Sequence, residues 1–208
     1  MTQEHTDTST VDRILDAAEA LVATRGFNGF SYAHIAEELG ITKASLHYHF
    51  RSKAQLGEAL IARYAERFAG ALEQIDLNTP GAPDRLTAYA QLYSAVLHGD
   101  RMCLCGMLAA EYETLPEPMG EAIVRFFDAN EAWLTQVLGD GRTDETLIVD
   151  GNPNESAQAI LGGLEGALLV ARPYGDPSRF DAAAKRLLAP FIRNPSGTSR
   201  TGTDWTRV

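Results

Sequence analysis

The chain has 208 residues, 45% of them apolar, with a formal net charge of −10. That size admits one sizeable core, or a small domain joined to a larger one. The acidic balance excludes nucleic-acid binding through a generally basic surface, so any such binding must come from a local patch. No apolar run is long enough to span a bilayer. The polar start lacks the apolar core of a signal peptide, and the only two cysteines are Cys103 and Cys105. Both features point to a reducing cytoplasm.

Apolar spacing predicts helices almost throughout. Ile14, Ala17, Ala18, Leu21 and Val22 form one face of a first helix, opened by Ser9 and ended by Gly26. Phe27 and Phe30 flank an Asn28-Gly29 turn. Ser31 caps a second helix carrying Ile35, Ala36 and Leu39, which stops at Gly40. Thr42 caps a short third helix, Lys43 to His49, that turns Leu46 inward. Ser52 with Gln55 opens a long fourth helix reaching about Asp76. After a loop at Leu77–Pro83, helices are expected at about 84–99, 102–114 and 117–138. Gly139–Pro153 is read as the longest internal loop, within which Thr146–Val149 could be ordered. Two helices follow, Asn154–Arg172 and Ser178–Arg193. The tail from Asn194 is polar and rich in Ser, Thr and Gly, and should be mobile. No period-two strand and no repeat is present. The expectation is an all-α chain of about nine helices. Its units are a helix-turn-helix domain at 1–52, a larger helical regulatory and dimerisation domain at 53–193, and a flexible tail at 194–208.

A helix, a glycine-containing turn and a short helix make a helix-turn-helix pattern. Packing through Ile35, Ala36, Leu39 and Leu46 leaves the other face of the third helix open. On or near that face lie Thr42, Lys43, Ser45, His47, Tyr48 and His49. Lys43 can donate to guanine edges, Ser45 can donate or accept, and Tyr48 offers a ring and a phenol. The N-termini of the third and fourth helices can bind phosphate through free backbone N–H groups. From Ile41 to Lys53 there are three basic residues, Lys43, Arg51 and Lys53, and no acid. A focused basic patch on an acidic body favours one docking orientation. His47 and His49 diverge by about 200° on a helix, so they cannot share one metal ion.

The run FSYAHIAEELGITKASLHYHFRSKAQL resembles the DNA-binding signature of the TetR/AcrR repressors. Phe30-Ser31, Ile35-Ala36, Leu39-Gly40-Ile41, Lys43, Leu46, Tyr48, Phe50 and Ser52-Lys53 before Leu56 carry the likeness, which covers residues 10–60. The resemblance implies that Thr42, Lys43, Ala44, Ser45, His47, Tyr48 and His49 face the major groove. It implies that Ser31, Tyr32, His47 and Lys53 hold phosphates. Tyr32-Ala33 departs from the polar or basic pair often found there, and His47 stands where a tyrosine is common. A histidine there would make operator affinity fall as pH rises from about 6 to 8.

Beyond residue 60 the likeness is architectural. It implies a helical sensing domain whose last two helices pair with a partner chain's. Ala157, Ile160, Leu161, Leu164, Ala167, Leu168 and Ala171 form a broad apolar face. Gly162, Gly163 and Gly166 beside it would allow close backbone approach. The final helix offers Phe180, Ala183, Ala184, Leu187, Leu188 and Phe191. The expected interface uses Ile160, Gly163, Leu164, Ala167, Leu168, Ala184, Leu187, Leu188 and Phe191.

A small-molecule pocket is expected among the helices between Ala54 and Gly139. Its candidate lining is Tyr64, Phe68, Tyr89, Tyr93, Met102 and Met107, with Phe126, Phe127 and Trp133 and the two cysteines. Residues of these types at helical spacing also serve as core. The segment CLCGMLAAEYETLP resembles a TetR subgroup in which some members sense electrophiles or oxidants through cysteine. A thiol near a helix N-terminus with Arg101 close by could have a lowered pKa and react as thiolate. The alternative is that Cys103 and Cys105 are small buried apolar residues. A soft-metal site with His98 lacks further ligands.

No phosphate loop, HExxH, CxxC or nucleophile elbow is present, so an enzyme is not expected, nor is a cofactor. The implied partners are a palindromic DNA operator, a small hydrophobic inducer and a second copy of the chain. No membrane is implied. The competing version is a thiol-based sensor acting through Cys103 or Cys105.

Overall fold

The computed structural model describes residues 9–99 and 101–193. Nine α-helices and two short 3-10 turns account for most of these residues, and none of them forms a strand. The first three helices are α1 (Thr10–Arg25), α2 (Tyr32–Leu39) and α3 (Lys43–His49). Each starts where a side chain can serve the open N-terminus. Ser9 Oγ accepts from the Asp12 N–H at 3.1 Å, Thr42 Oγ1 accepts from Ser45 N–H at 3.1 Å, and the Ser31 N–H donates to His34 Nδ1 at 3.2 Å. Between α2 and α3, Gly40 stands at φ +66°, a left-handed conformation that favours glycine. It turns the chain so that the Ile41 N–H returns to the Ala36 carbonyl at 3.0 Å. Ile14, Ala18, Val22, Ile35 and Leu46 are fully enclosed and lock the three helices together, closed by Phe27, Phe30 and Phe50.

Helix α4 (Lys53–Asn78) opens at Ser52, whose Oγ accepts from the Gln55 N–H at 3.2 Å. Its 26 residues span about 39 Å. It packs on α1 at one end and runs along α5 (Ala82–His98) and α7 (Glu117–Thr143). Helix α6 (Leu104–Ala109) wedges between α1 and α7. Helices α8 (Pro153–Ala171) and α9 (Pro177–Leu188) close the far side, α8 lying between α7 and α9.

Three elements differ from the sequence expectation. The helix expected at 102–114 is only α6 and a following 3-10 turn at Tyr112–Thr114. Cys103 occupies the cap position, its Sγ accepting from the Gly106 N–H at 3.5 Å, and Glu111 leaves the helix to reach the loop after α1. Helix α7 runs through Gly139 and Gly141 to Thr143, so the expected long loop shrinks to residues 144–152. The missing Cβ of Gly141 admits the Leu147 side chain. Helix α9 stops at Leu188, because Pro190 removes a donor. The chain beyond it pairs Ile192 with Leu147, and the Ile148 N–H donates to the Phe191 carbonyl at 2.8 Å. This orders Thr146–Val149. The tail expected to be mobile from Asn194 lies outside the described residues.

The expected dimer face is also corrected. Ile160, Leu164 and Leu168 are wholly enclosed within the protomer, and Ala184 and Leu188 nearly so. A hydrophobic stripe on α8 is covered by the chain's own α7 and α9. Gly163 serves that packing, since a Cβ there would lie 2.7 Å from Leu187 Cδ2. Ala167, Leu187 and Phe191 are partly buried at its margin. The outward side of α8 instead carries Gly162, Gly166, Leu169 and Val170, with no atom of the described residues within 4 Å of a Cβ at either glycine.

Candidate nucleic-acid interface and effector cavities

Leu46 anchors α3 from beneath, so the residues on either side of it face out. Thr42, Lys43, Ala44, His47 and Tyr48 are exposed, while Ser45 and His49 are half-buried. Tyr48 is 85% exposed, an unusual state for a large ring, and stands edge-on to His49 with ring centres 5.1 Å apart. Six of the seven residues expected to meet a groove therefore lie on α3, and the seventh, Thr42, caps it.

The residues expected to hold phosphate gather round a single hollow of about 330 Å³ between α2 and α3. Its walls include Ser31, Tyr32, Lys43, His47 and Lys53. Two of them are already engaged inside the protomer. The Tyr32 hydroxyl donates to the Phe50 carbonyl at 2.9 Å, and burial pushes its phenol up to about 12. Its ring also supports His47 at 4.8 Å. Lys53 turns its ammonium inward to the carbonyls of Phe27 and Phe30, over both of their rings at 4.5 and 4.2 Å. Burial lowers the Lys53 pKa, and the charge of Glu111 opposes this. Tyr32 and Lys53 thus position α3 and α4 while also lining the hollow where the resemblance implies phosphate is held. The reason is local: both lie beside loop carbonyls that no helix satisfies.

Links between the two halves of the molecule were not legible in the sequence. The Glu111 carboxylate accepts from the backbone N–H groups of Phe27 and Asn28 at 2.7 and 2.9 Å, and from Asn28 Nδ2 at 2.7 Å. Arg172, after α8, donates to the Ala23 carbonyl near the end of α1 at 2.7 Å. Glu19 on α1 is paired with Arg63 and Arg67 on α4 at 3.1 and 2.7 Å. Sequence spacing carries no signal for such pairs.

Phe68 and Phe126 line a groove of about 650 Å³ between α4 and α7, together with Glu58, Glu66 and Glu121. Tyr64, Phe68 and Met102 line a smaller cavity of about 240 Å³ between α1, α4, α5 and the start of α6. The other expected pocket residues, Tyr89, Tyr93, Cys103, Cys105, Met107, Phe127 and Trp133, line neither. They pack as core or at its margin. Tyr89 stacks on Trp133 at 5.5 Å, and its hydroxyl donates to buried Asn130 at 3.0 Å. Aromatic residues at helical spacing fill space here because each ring finds another within contact range.

Of the two readings of the thiols, the structure fits the buried one. Cys103 and Cys105 are 1% and 0% exposed. Burial, then the nearby Glu165 carboxylate, pushes both well above the ordinary thiol range. Burial also raises the pKa of Glu165. Arg101 does not offset this, because it points to Glu19. In this arrangement both thiols are neutral and enclosed. His98 Nδ1 lies 2.9 Å from the Ser94 carbonyl, and no group of three metal-ligating side chains occurs among the described residues.

An all-helical chain with an exposed reading helix on a helix-turn-helix and a larger helical body defines a class of DNA-binding regulator. The family model described as bacterial regulatory proteins, tetR family, matches residues 14–60, and a tetracyclin repressor-like C-terminal domain matches residues 82–187. The HTH-type transcriptional repressor NemR of Escherichia coli strain K12 is 31% identical over 173 residues, covering 81% of this chain and 87% of that protein. The transcriptional regulator AcuR of Cereibacter sphaeroides is 30% identical over 152 residues, covering 71% and 69%. Among solved structures, a TetR-family regulator from Agrobacterium tumefaciens superposes with a TM-score of 0.85 at 30% identity, covering 88% of this chain and 97% of that one. Reduced NemR of Escherichia coli superposes with a TM-score of 0.79 at 27% identity, covering 91% and 100%. The chain belongs to the TetR family of bacterial transcriptional regulators.

Proposed function

We propose that the protein is a ligand-responsive repressor that binds a palindromic operator as a homodimer and is released by a small hydrophobic inducer. The single observation that carries the DNA-binding part is α3, with Lys43 and an exposed Tyr48 on a face that none of the other described residues covers. Ser31 and the hollow beside it supply phosphate contacts, and Lys53 contributes its charge from within. The division at about residue 52 separates the reading unit from the sensing unit, with α4 as the lever between them. Its place of action is the cytoplasm; none of the described helices is long and apolar enough to cross a membrane.

Dimerisation through the outward face of α8 and through α9 would set two reading helices about 34–36 Å apart, one turn of DNA. An inducer then favours a conformation in which this spacing is lost. Burial of both thiols favours a non-covalent inducer over modification of Cys103 or Cys105. Every relative named above is a regulator, and nothing in the site supplies a catalytic mechanism.

Selection of duplexes from a random pool tests the reading. A palindrome should be recovered, and its affinity should fall steeply with salt. Recovery of no preferred duplex, or a salt-independent complex, would refute DNA-directed regulation.

A further inference from the structure

The contact between α1 and α4 contains a charge cluster that DNA binding does not use. Arg63 Nη2 donates to Glu19 Oε2 at 3.1 Å, and Arg67 Nη2 donates to Glu19 Oε1 and Oε2 at 2.7 and 2.8 Å. Arg63 also pairs with Asp16 at 2.8 Å. Arg101, just before α6, approaches Glu19 Oε1 at 3.8 Å, outside hydrogen-bond range. Three guanidiniums thus face two carboxylates, and the buried Nε of Arg63 has no acceptor among the described residues. Arg63 Nη1 also donates to the Asp12 carbonyl at 3.3 Å; among the described residues the cluster still holds more guanidiniums than carboxylates, on a chain whose total charge is −10.

This cluster borders the cavity of about 240 Å³. Glu19, Arg67 and Arg101 form its polar wall, and Phe68, Val96 and Met102 belong to its apolar one. The Arg67 and Arg101 side chains are 49% and 58% exposed, so N–H groups remain for a further acceptor. The volume equals roughly that of eight water molecules. A cation is repelled here, and an uncharged molecule forgoes the paired donors. The chemistry that fits is a carboxylate for the guanidiniums and a short apolar tail for the opposite wall.

We propose that this cleft is the effector site for a small apolar monocarboxylate, which binds Arg67 and Arg101 by displacing Glu19. The proposal rests on the reading of the chain as a ligand-responsive repressor and names the class of ligand. Displacement is itself the signal. Glu19 ties the first helix of the reading unit to the lever helix, and a ligand that takes Arg67 loosens that tie.

The test uses the full chain with benzoate, benzamide and benzamidine, three planar probes of closely similar shape and different charge. Binding is read by calorimetry, and operator release by fluorescence anisotropy of a labelled duplex. Benzoate should bind and release the operator, and the other two should do neither. Arg67→Gln with Arg101→Gln should weaken benzoate about tenfold or more. Glu19→Gln should tighten it, because the competing carboxylate is gone; this gain cannot come from a misfolded protein. Benzamide binding as well as benzoate, equal benzoate affinity in all three proteins, or no binding of benzoate, butyrate or hexanoate at millimolar concentration would overturn the proposal. Ligand-free operator binding, measured in the same titration, separates the outcomes. If it persists without a benzoate response, only the site fails; if it is absent, the regulator reading fails.

Discussion

Replacing Glu111 by alanine removes three hydrogen bonds at once and leaves two backbone N–H groups, of Phe27 and Asn28, without their acceptor. Bonds to a charged acceptor contribute about 1.5–3 kcal/mol each when well shielded. Glu111 is half-buried and the Asn28 bonds are exposed, so solvent takes over part of the work. A total of roughly 3 kcal/mol follows, lowering the melting temperature by about 6–12 °C for a chain of this size. Thermal unfolding followed by circular dichroism measures this. Glu113→Ala, two residues on and exposed, is the control and should change stability by no more than about 0.5 kcal/mol. Glu111→Ala also frees the turn before α2 from the segment after α6, so operator affinity should change with it. If Glu111→Ala melts within a degree or so of the Glu113 control, the latch is a surface contact only and the reasoning fails.

Lys43→Ala should weaken operator binding uniformly across sequences and reduce the salt slope by about one if it meets phosphate, or relax one base position if it meets a guanine; Tyr48→Ala should cost about tenfold in affinity without a change in melting temperature. Leu169→Glu on the outward face of α8 should yield monomers by light scattering while leaving helix content intact. Ile160→Ala, on the inward face, should destabilise the fold by about 2–5 kcal/mol instead. Cys103 and Cys105, with thiols raised by burial, should resist iodoacetamide in the native protein through pH 8 and label only on unfolding; rapid native labelling would restore the thiol-sensor version. Tyr32 binds its proton more tightly folded than unfolded. Its contribution is therefore complete below the ordinary tyrosine pKa of about 10 and is lost as pH rises toward about 12, a loss that Tyr32→Phe should reduce in alkaline melts.

The reading unit was legible in the sequence because it is assembled from neighbours. Ser9, Thr42 and Ser52 cap helices within three residues of themselves, Gly40 makes its turn alone, and Leu46 is fully enclosed where α3 packs beside its neighbour α2. Periodicity also located α4, α5, α7, α8 and α9, although it misplaced several ends. It could not tell which helix covers an apolar stripe. Ile160 and Leu164 read equally well as a partner's surface or as the chain's own core, since burial against either removes the same area from water. Only the packing of α7 and α9 on α8 turned that stripe inward and left Gly162, Gly166 and Leu169 outside. The tertiary structure likewise decided which charges act together. Glu111 finds Phe27 across 84 residues and Glu19 finds Arg67 across 48, distances over which no local pattern constrains a side chain. Cys103 shows the same division: its place at a helix start was readable, but whether it is a reactive thiolate depends on exposure and neighbouring charge, and the fold surrounds it with core and sets Glu165 nearby.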